Sequence, residues 1–224
     1  AAPENYARLA ARINNWLNAR TGAGVLFETD LRLRPDGAAG LLVSSVEAFR
    51  RYQREAAWVG EHQALTRARY CAGDATVGAL FEETRREILR QPRDPEKLRD
   101  EVLSMRQRML EGHPNKSELF DLKHDRGGMV DIEFIVQYLV LAHSHQHPSL
   151  TANDGNIALL KLAADLGLIP RDLSDALRDA YRDYRRRQHG LRLNGAQYAR
   201  APHEEVSAAI EATRGLWRAV FGTD

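Results

Sequence analysis

The sequence predicts a mainly α-helical protein, in which one helix and two short strands are followed by a helical bundle. Apolar side chains recur at the three- and four-residue spacing of amphipathic helices through most of the chain. The period-two alternation of a strand is confined to residues 24–34, and residues 130–142 are apolar almost all the way round, as expected of a central bundle helix. With 224 residues, 43% of them hydrophobic, the chain can bury a core in one or two domains.

The first predicted elements are a helix and two strands. Apolar residues recur at helical spacing through residues 6–17, and the glycine-containing segment 21–24 ends that helix. A strand over residues 24–34 follows, the Pro-Asp-Gly sequence at 35–37 forms a turn, and residues 39–44 return as a short second strand. The sequence therefore offers only a little sheet.

Helices account for most of the remaining chain. Ser44 and Glu47 form a capping-box pattern, which predicts a helix that begins near residue 45 and continues through Val59. A proline-containing segment at residues 91–95 interrupts the helical pattern and is the best candidate region for a domain boundary. The other helices are predicted at residues 76–89, 96–110, 130–142, 156–166, 171–189 and 203–221.

Charge and cysteine content exclude several classes of function. The 32 basic and 31 acidic side chains nearly cancel, so no global field favours nucleic acid or a membrane surface as a partner. One cysteine excludes an internal disulfide framework, and no apolar run approaches the ~20 residues that span a bilayer. These features, with no secretory signal pattern, predict a cytoplasmic protein. A start without methionine predicts that these residues belong to a longer protein.

The predicted strand over residues 24–34 has two chemically opposite faces. One face is apolar, and the other carries Glu28, Asp30, Arg32 and Arg34. Carboxylates suit a hard cation such as Mg²⁺, and planar guanidiniums suit phosphate oxygens, so this face is a candidate site for a metal–nucleoside triphosphate. The alternative is a solvated edge strand whose acids and bases pair with one another.

Two further places carry candidate residues. Arg67 and Arg69 follow the strands closely enough in sequence to contact a nucleotide, with an ordinary ion pair as the alternative. Gly127 and Gly128 precede the apolar helix, where free amides favour an anion. The acidic side chains of the following turn equally explain that helix start, because they complement the helix dipole.

Three of these segments together resemble a known family. Residues 24–43, 58–69 and 127–134 are similar, in the right order, to glutamine synthetase adenylyltransferases, which are bifunctional adenylyl-transferring and adenylyl-removing enzymes. The resemblance covers nearly the whole chain. Residues 33–40 (Leu-Arg-Pro-Asp-Gly-Ala-Ala-Gly) and 131–141 resemble the C-terminal, adenylylating half more than the other half.

The resemblance implies a fold and a reaction. Residues 1–75 would be the C-terminal remnant of a polymerase-β-like nucleotidyltransferase domain, and residues 76–224 a helical bundle like that of PII-uridylyltransferases. Such enzymes use Mg²⁺ and ATP to place AMP on a tyrosine of glutamine synthetase, which regulates nitrogen assimilation. The implied partners are glutamine synthetase and the PII signalling protein, with glutamine as an effector.

The resemblance also implies residue roles, and the sequence departs from the family pattern at one point. Asp30 corresponds to the third metal-binding aspartate and is a candidate base, with Glu28 as a second candidate ligand and Arg32 and Arg34 as supports for phosphate charge. No Gly-Ser-x-x-Asp-x-Asp element, which supplies the other two aspartates, occurs in the chain. The chain is therefore expected to be an inactive fragment of an active enzyme. The alternatives are a helical regulatory module that docks glutamine synthetase or PII, and part of the deadenylylating half.

Overall fold

The computed structural model describes residues 3–25, 29–31, 34–35, 37, 40–152 and 154–223. Over this part of the chain the fold is mainly helical, with two small antiparallel sheets of two strands each, which confirms the predicted fold class. The chain divides into two compact units. The first consists of Ala1–Ala64 and Tyr70–Ile88, and the second of Leu65–Arg69 and Leu89–Asp224. None of the described helices is both long and apolar enough to cross a bilayer.

The elements of the first unit largely follow the predicted helices. They are α1 (Pro3–Asn18), β1 (Arg20–Thr21), β2 (Gly24–Val25), α2 (Val46–Glu55), α3 (Val59–Leu65) and α4 (Ala75–Leu89). A tight hairpin joins β1 to β2, and Gly24 takes a φ of +99° there, a backbone conformation that favours glycine. Helix α1 therefore ends in this hairpin rather than in a long strand.

The predicted strand over residues 24–34 is wrong for all of its described residues after Val25. Residues 29–31 and 34 are not in a strand. Polar side chains close this segment into a loop instead, because Asn18 Nδ2 donates to Thr29 Oγ1 over 2.7 Å and Arg34 Nε donates to the Gly40 carbonyl over 3.1 Å. Residues 26–28, 32 and 33 lie outside the described part of the chain.

The predicted second strand, residues 39–44, is also wrong where it is described, since residues 40–44 form no strand. The predicted Ser44 cap is displaced by one residue. Ser45 is the N-cap of α2, and its hydroxyl accepts from the Ala48 amide over 3.1 Å. Helix α2 ends before Val59, because the Glu61 carboxylate accepts both the Trp58 amide at 3.1 Å and the Tyr52 hydroxyl at 2.9 Å and so starts a separate helix.

The second unit holds the bundle and confirms the helices predicted there. Its elements are α5 (Pro95–Gly112), β3 (Phe120–Asp121), α6 (Met129–His143), a 3-10 turn (Pro148–Thr151), α7 (Asn156–Asp165), α8 (Arg171–Leu193), β4 (Arg200–Ala201) and α9 (His203–Phe221). Helix α6 packs against α5, α7, α8 and α9, and β3 pairs with β4. The apolar helix predicted at residues 130–142 is thus the centre of the bundle.

The interruption predicted at residues 91–95 is confirmed as a break between helices. Asp94 caps α5 by accepting the Lys97 amide over 2.9 Å, and Pro95 occupies the first turn, where its missing N–H costs nothing. Arg93 Nη1 donates to the carbonyls of Leu89 and Gln91, both at 3.0 Å, and to that of Leu141 at 3.3 Å. The segment therefore satisfies carbonyls at the ends of α4 and α6.

Candidate functional site

The four residues predicted to share one strand face are only partly described. Asp30 is exposed in the first unit. Arg34 is half-buried, and it donates Nε to the Gly40 carbonyl and Nη1 to the Leu31 carbonyl. Glu28 and Arg32 lie outside the described residues. These two hydrogen bonds from Arg34 thus stabilise the loop that contains Asp30.

Asp30 is the one predicted metal ligand that the structure describes. No group of three or more histidine, cysteine, aspartate or glutamate side chains among the described residues is arranged to hold a metal ion. Asp30 alone does not supply the oxygen ligands that Mg²⁺ requires. The described residues therefore do not form a magnesium site on their own.

The two arginines predicted to contact a nucleotide lie in the second unit. Both are exposed at the residue level. Arg67 Nη1 donates to Asn156 Oδ1, at the start of α7, over 2.9 Å. Asn156 itself is 3% exposed, so its amide oxygen is a fixed anchor for the guanidinium. This bond restrains the orientation of the exposed Arg67 side chain.

A polar cluster surrounds this arginine, and we call it the Glu133 cluster. Its members come from α6, α7 and α8, from the loop before α6 and from the segment after α3: Arg67, Lys123, Glu133, Asn156, Tyr181 and Arg185. Tyr181 donates its hydroxyl to Glu133 Oε1 over 3.5 Å, a long bond. Three cationic side chains lie near one carboxylate in this cluster, so positive charge is in excess there.

Burial sets the electrostatics of the Glu133 cluster. Burial raises the pKa of Glu133, and the charges of Lys123, Arg67 and Arg185 and the Tyr181 hydrogen bond oppose that shift. Burial also raises the pKa of Tyr181, and the nearby Glu133 charge adds to that effect. A carboxylate that is costly to ionise beside excess positive charge favours the approach of an anionic group such as a phosphate.

This cluster was not predicted from the sequence. Glu133 was considered only as an acidic side chain that complements the helix dipole, and neither Asn156 nor Tyr181 was assigned a role. These residues are separated from Arg67 by 66 to 114 positions, and polar residues on separate helices show no local spacing that would connect them. The signal that the sequence offered was a glutamate, Glu133, inside the otherwise mostly apolar run of residues 130–142.

The double glycine before α6 has a structural explanation. Gly127 takes a φ of +93°, and a Cβ atom at Gly128 would lie 2.9 Å from the carbonyl oxygens of both Leu122 and Asp125. The Asp131 carboxylate accepts the Gly127 amide at 2.5 Å and also Arg106 Nε. Asp131 is thus the anion at the start of α6, which supports the structural alternative for this loop.

Comparisons with known proteins cover both units. Residues 1–84 match the family model described as glutamate-ammonia ligase adenylyltransferase, and residues 97–217 match the model described as GlnD PII-uridylyltransferase.

Curated relatives match almost the whole chain under one name, "Bifunctional glutamine synthetase adenylyltransferase/adenylyl-removing enzyme". The relative from Aromatoleum aromaticum is 61% identical over 99% of this chain. Those from Nitrosomonas eutropha and Bordetella bronchiseptica are 55% and 57% identical over 99% and 98% of it. The chain spans about a quarter of the length of these relatives: 24%, 25% and 23%, respectively.

Proposed function

Because the chain belongs to the family of bifunctional glutamine synthetase adenylyltransferase/adenylyl-removing enzymes, we propose that it is part of an enzyme that moves AMP from ATP to a tyrosine of glutamine synthetase. Through residues 97–217 it also belongs to the family described as GlnD PII-uridylyltransferase. The observation that carries the proposal is the 61% identity with one such enzyme over 99% of the chain. The proposed activity is that of an enzyme of the relatives' full length.

Within that enzyme the first residues of the chain supply part of the catalytic centre. Asp30 is proposed as a Mg²⁺ ligand and Glu28 as a second one, while further ligands come from other parts of the enzyme. Arg32 and Arg34 support phosphate charge or Asp30 itself. For Arg34 the second role is favoured, because at least two of its N–H groups already bind loop carbonyls.

Arg67 and Arg69 are proposed to contact the nucleotide. The contact between Arg67 and Asn156 supports this for Arg67, since a guanidinium that is already oriented loses less conformational freedom when it binds a phosphate. The excess positive charge around Glu133 also supports a contact with the phosphates of a nucleotide. Arg69 is exposed, and its role rests on its neighbourhood in sequence.

The proposed organisation places the end of a nucleotidyltransferase domain in residues 1–75 and a helical domain in residues 76–224. The chain is assigned to the adenylylating half, on the resemblance of residues 33–40 and 131–141. PII and glutamine are proposed as regulators, and the cytoplasm as the location. Because Asp30 cannot form a two-metal centre alone, the isolated chain is proposed to be inactive.

A second candidate function is a helical module that docks a protein partner. It is favoured by the match of residues 97–217 to the family described as GlnD PII-uridylyltransferase and by the extensive core of the second unit. In this case glutamine synthetase or PII would bind the bundle without any requirement for ATP. A further alternative is that the chain is part of the deadenylylating half, because the name of the bifunctional relatives includes both adenylyl transfer and adenylyl removal.

Nucleotide binding separates these candidates. ATP binding is measured by calorimetry for the full-length enzyme that contains this chain, with and without Mg²⁺. The expected result is Mg²⁺-dependent binding that Asp30→Asn weakens by about tenfold or more and that Asp100→Asn, an exposed control on α5, leaves unchanged. Glutamine synthetase binding that neither ATP nor Asp30→Asn affects, together with ATP binding unchanged in Asp30→Asn, would support the docking module instead.

A further inference from the structure

A cavity of about 300 Å³ lies beside the start of α6 in the second unit, apart from the Glu133 cluster. Its lining comes from three places: Arg126 in the loop before α6, Asp131 in the first turn of α6, and Arg214 and Trp217 on α9. This volume is at the lower end of the range for small-molecule sites. The elements that form it belong to the bundle core, so the cavity is held by packed helices.

The charges around the cavity are unbalanced. Asp131 is already paired with Arg106 and also accepts the Gly127 amide, so its negative charge is engaged inside the bundle. Within the described part of the chain, Arg126 and Arg214 form no ion pair, and Arg126 has one neutral partner, Gln107 Oε1, at 2.8 Å. The cavity therefore has two guanidiniums without a counter-charge.

One buried hydrogen-bond donor in the lining of the cavity has no acceptor within the described part of the chain. Trp217 lines the cavity and is 4% exposed, and its Nε1 has no acceptor among the described residues. Nη1 of Arg106 also has no acceptor among the described residues, but this side chain is not part of the cavity lining and reaches it only through its partner Asp131. Buried donors without acceptors are rare in folded proteins, because no new hydrogen bond replaces the one that they made to water. A ligand that brings an acceptor oxygen would satisfy Trp217 Nε1.

We propose that this cavity binds a small dianion that carries phosphate or carboxylate groups. Such a ligand balances the two charges of Arg126 and Arg214 and offers an acceptor oxygen to the buried Trp217 Nε1. Guanidinium geometry matches both oxyanions. The proposal concerns a site on the second unit alone and stands independently of the adenylyl-transfer proposal.

Calorimetry with two probes tests the site and the source of the oxyanion. Inorganic phosphate and succinate are titrated into the 224-residue chain at low ionic strength, with sodium chloride as the control. We expect at least one probe to bind with a Kd of about 1 mM or tighter. Binding of phosphate alone assigns a phosphate-type ligand, binding of succinate alone a dicarboxylate, and binding of both a site that recognises charge and size. Binding of neither at about 10 mM overturns the proposal.

Matched arginine variants locate the binding. Arg214→Gln removes an exposed cation from the cavity rim and is expected to weaken binding by about tenfold, as is Arg126→Gln. Arg186→Gln removes the same charge from an 80% exposed position on α8 outside the cavity, and is expected to leave binding unchanged. An equal loss in all three variants would overturn the proposal, since it would show only a general response to net charge. Far-ultraviolet circular dichroism verifies that each variant is folded.

Trp217 provides a second readout that does not depend on these substitutions. The other two tryptophans, Trp16 and Trp58, are 68% and 48% exposed, so a Trp16→Phe/Trp58→Phe background leaves Trp217 as the sole reporter. The probe that binds is expected to change the emission of Trp217 with the same Kd as in calorimetry. Binding without a change in that emission would place the ligand elsewhere and contradict the proposed site.

Discussion

Helix α1 in the first unit leaves its apolar stripe in solvent, whereas α6 in the second unit buries side chains on all sides. Ile13 and Trp16 on α1 are 45% and 68% exposed, while Ile132 and Ile135 on α6 are fully buried. Both helices have the sequence pattern of a packed helix. This difference in burial shows that helical periodicity determines which side chains share a face, whereas burial depends on the neighbours that pack against that face.

One ion pair from each unit shows a similar contrast in burial. In the first unit Arg54 donates Nε to Glu87 over 2.7 Å, and the two side chains are 46% and 37% exposed. In the second unit Arg106 forms an ion pair with Asp131, and these two side chains are 1% and 5% exposed. The buried pair also organises the start of α6, because Arg106 Nη2 donates to the His124 carbonyl over 2.7 Å. The start of α6 therefore depends on this buried ion pair for its structure.

The largest expected effect follows from breaking the buried pair. Arg106→Met leaves Asp131 as an unpaired buried charge and is expected to cost about 3–5 kcal/mol of unfolding free energy. Arg54→Met breaks the exposed pair and is expected to cost about 1 kcal/mol or less. Urea unfolding of both variants measures the two costs. Equal costs would contradict the contrast between the two ion pairs.

Truncation of matched isoleucines is expected to have the next largest effect. Ile135→Ala opens a cavity at the bundle centre and is expected to cost about 2–5 kcal/mol. Ile13→Ala changes a 45% exposed residue of α1 and is expected to alter stability by about 0.5 kcal/mol. Thermal unfolding gives the comparison. A large cost at Ile13 would show that the α1 stripe is covered in solution.

Two glycines of positive φ separate backbone strain from packing. Gly24 and Gly127 have φ values of +99° and +93°, so alanine at either position costs about 1–2 kcal/mol through the backbone. Only at Gly127 does the new Cβ meet an atom, Ile210 Cγ2 at 2.9 Å, which adds about 1–3 kcal/mol. Urea unfolding of Gly24→Ala and Gly127→Ala measures the difference, and indistinguishable costs would show that Ile210 moves aside freely.

The smallest expected effect is a change in pH dependence at Glu133. Burial raises the pKa of this carboxyl in the folded protein, so the folded state binds its proton more tightly than the unfolded state does. Stability contributed by the protonated form is therefore lost as pH rises from the ordinary value of 4.5 through the raised pKa. Glu133→Gln keeps an acceptor for Tyr181 and stays neutral, so we expect its Tm to exceed that of the natural chain above this window and to converge below it.

Melting curves between pH 4 and pH 8 measure this difference, with the exposed Glu118→Gln as a control. The surrounding cations reduce the effect, which is why it is placed last. A Glu133→Gln variant that melts below the natural chain at neutral pH would show that the ionised carboxylate and its cations are a net stabilising group.

The sequence predicted the helices well because their signals are local. Asp94 and Pro95 mark the start of α5, and Gly222, with a φ of +71°, marks the end of α9. The prediction of a strand over residues 24–34 failed at the described residues 29–31 and 34, because alternation alone does not secure a partner strand, and Thr29 and Arg34 form polar contacts in the loop instead.

The candidate site was predictable only in part. Arg67 was identified from its position in sequence, but its anchor Asn156 lies 89 residues later on another helix. The cavity beside Asp131 combines a loop, the start of α6 and the end of α9, and no spacing along the chain predicts that such segments meet. Sites of this kind follow from the tertiary packing of distant helices.

The most direct test of the proposed function is the transfer of label from α-labelled ATP to purified glutamine synthetase. The full-length enzyme that contains this chain is compared with its Asp30→Asn variant, and circular dichroism verifies that the variant is folded. We predict that labelling by the Asp30→Asn variant falls by about 100-fold or more, while removal of AMP already bound to glutamine synthetase continues. Unchanged labelling would contradict the assignment of Asp30 to the adenylylating site, and loss of removal alone would assign the chain to the other half of the enzyme.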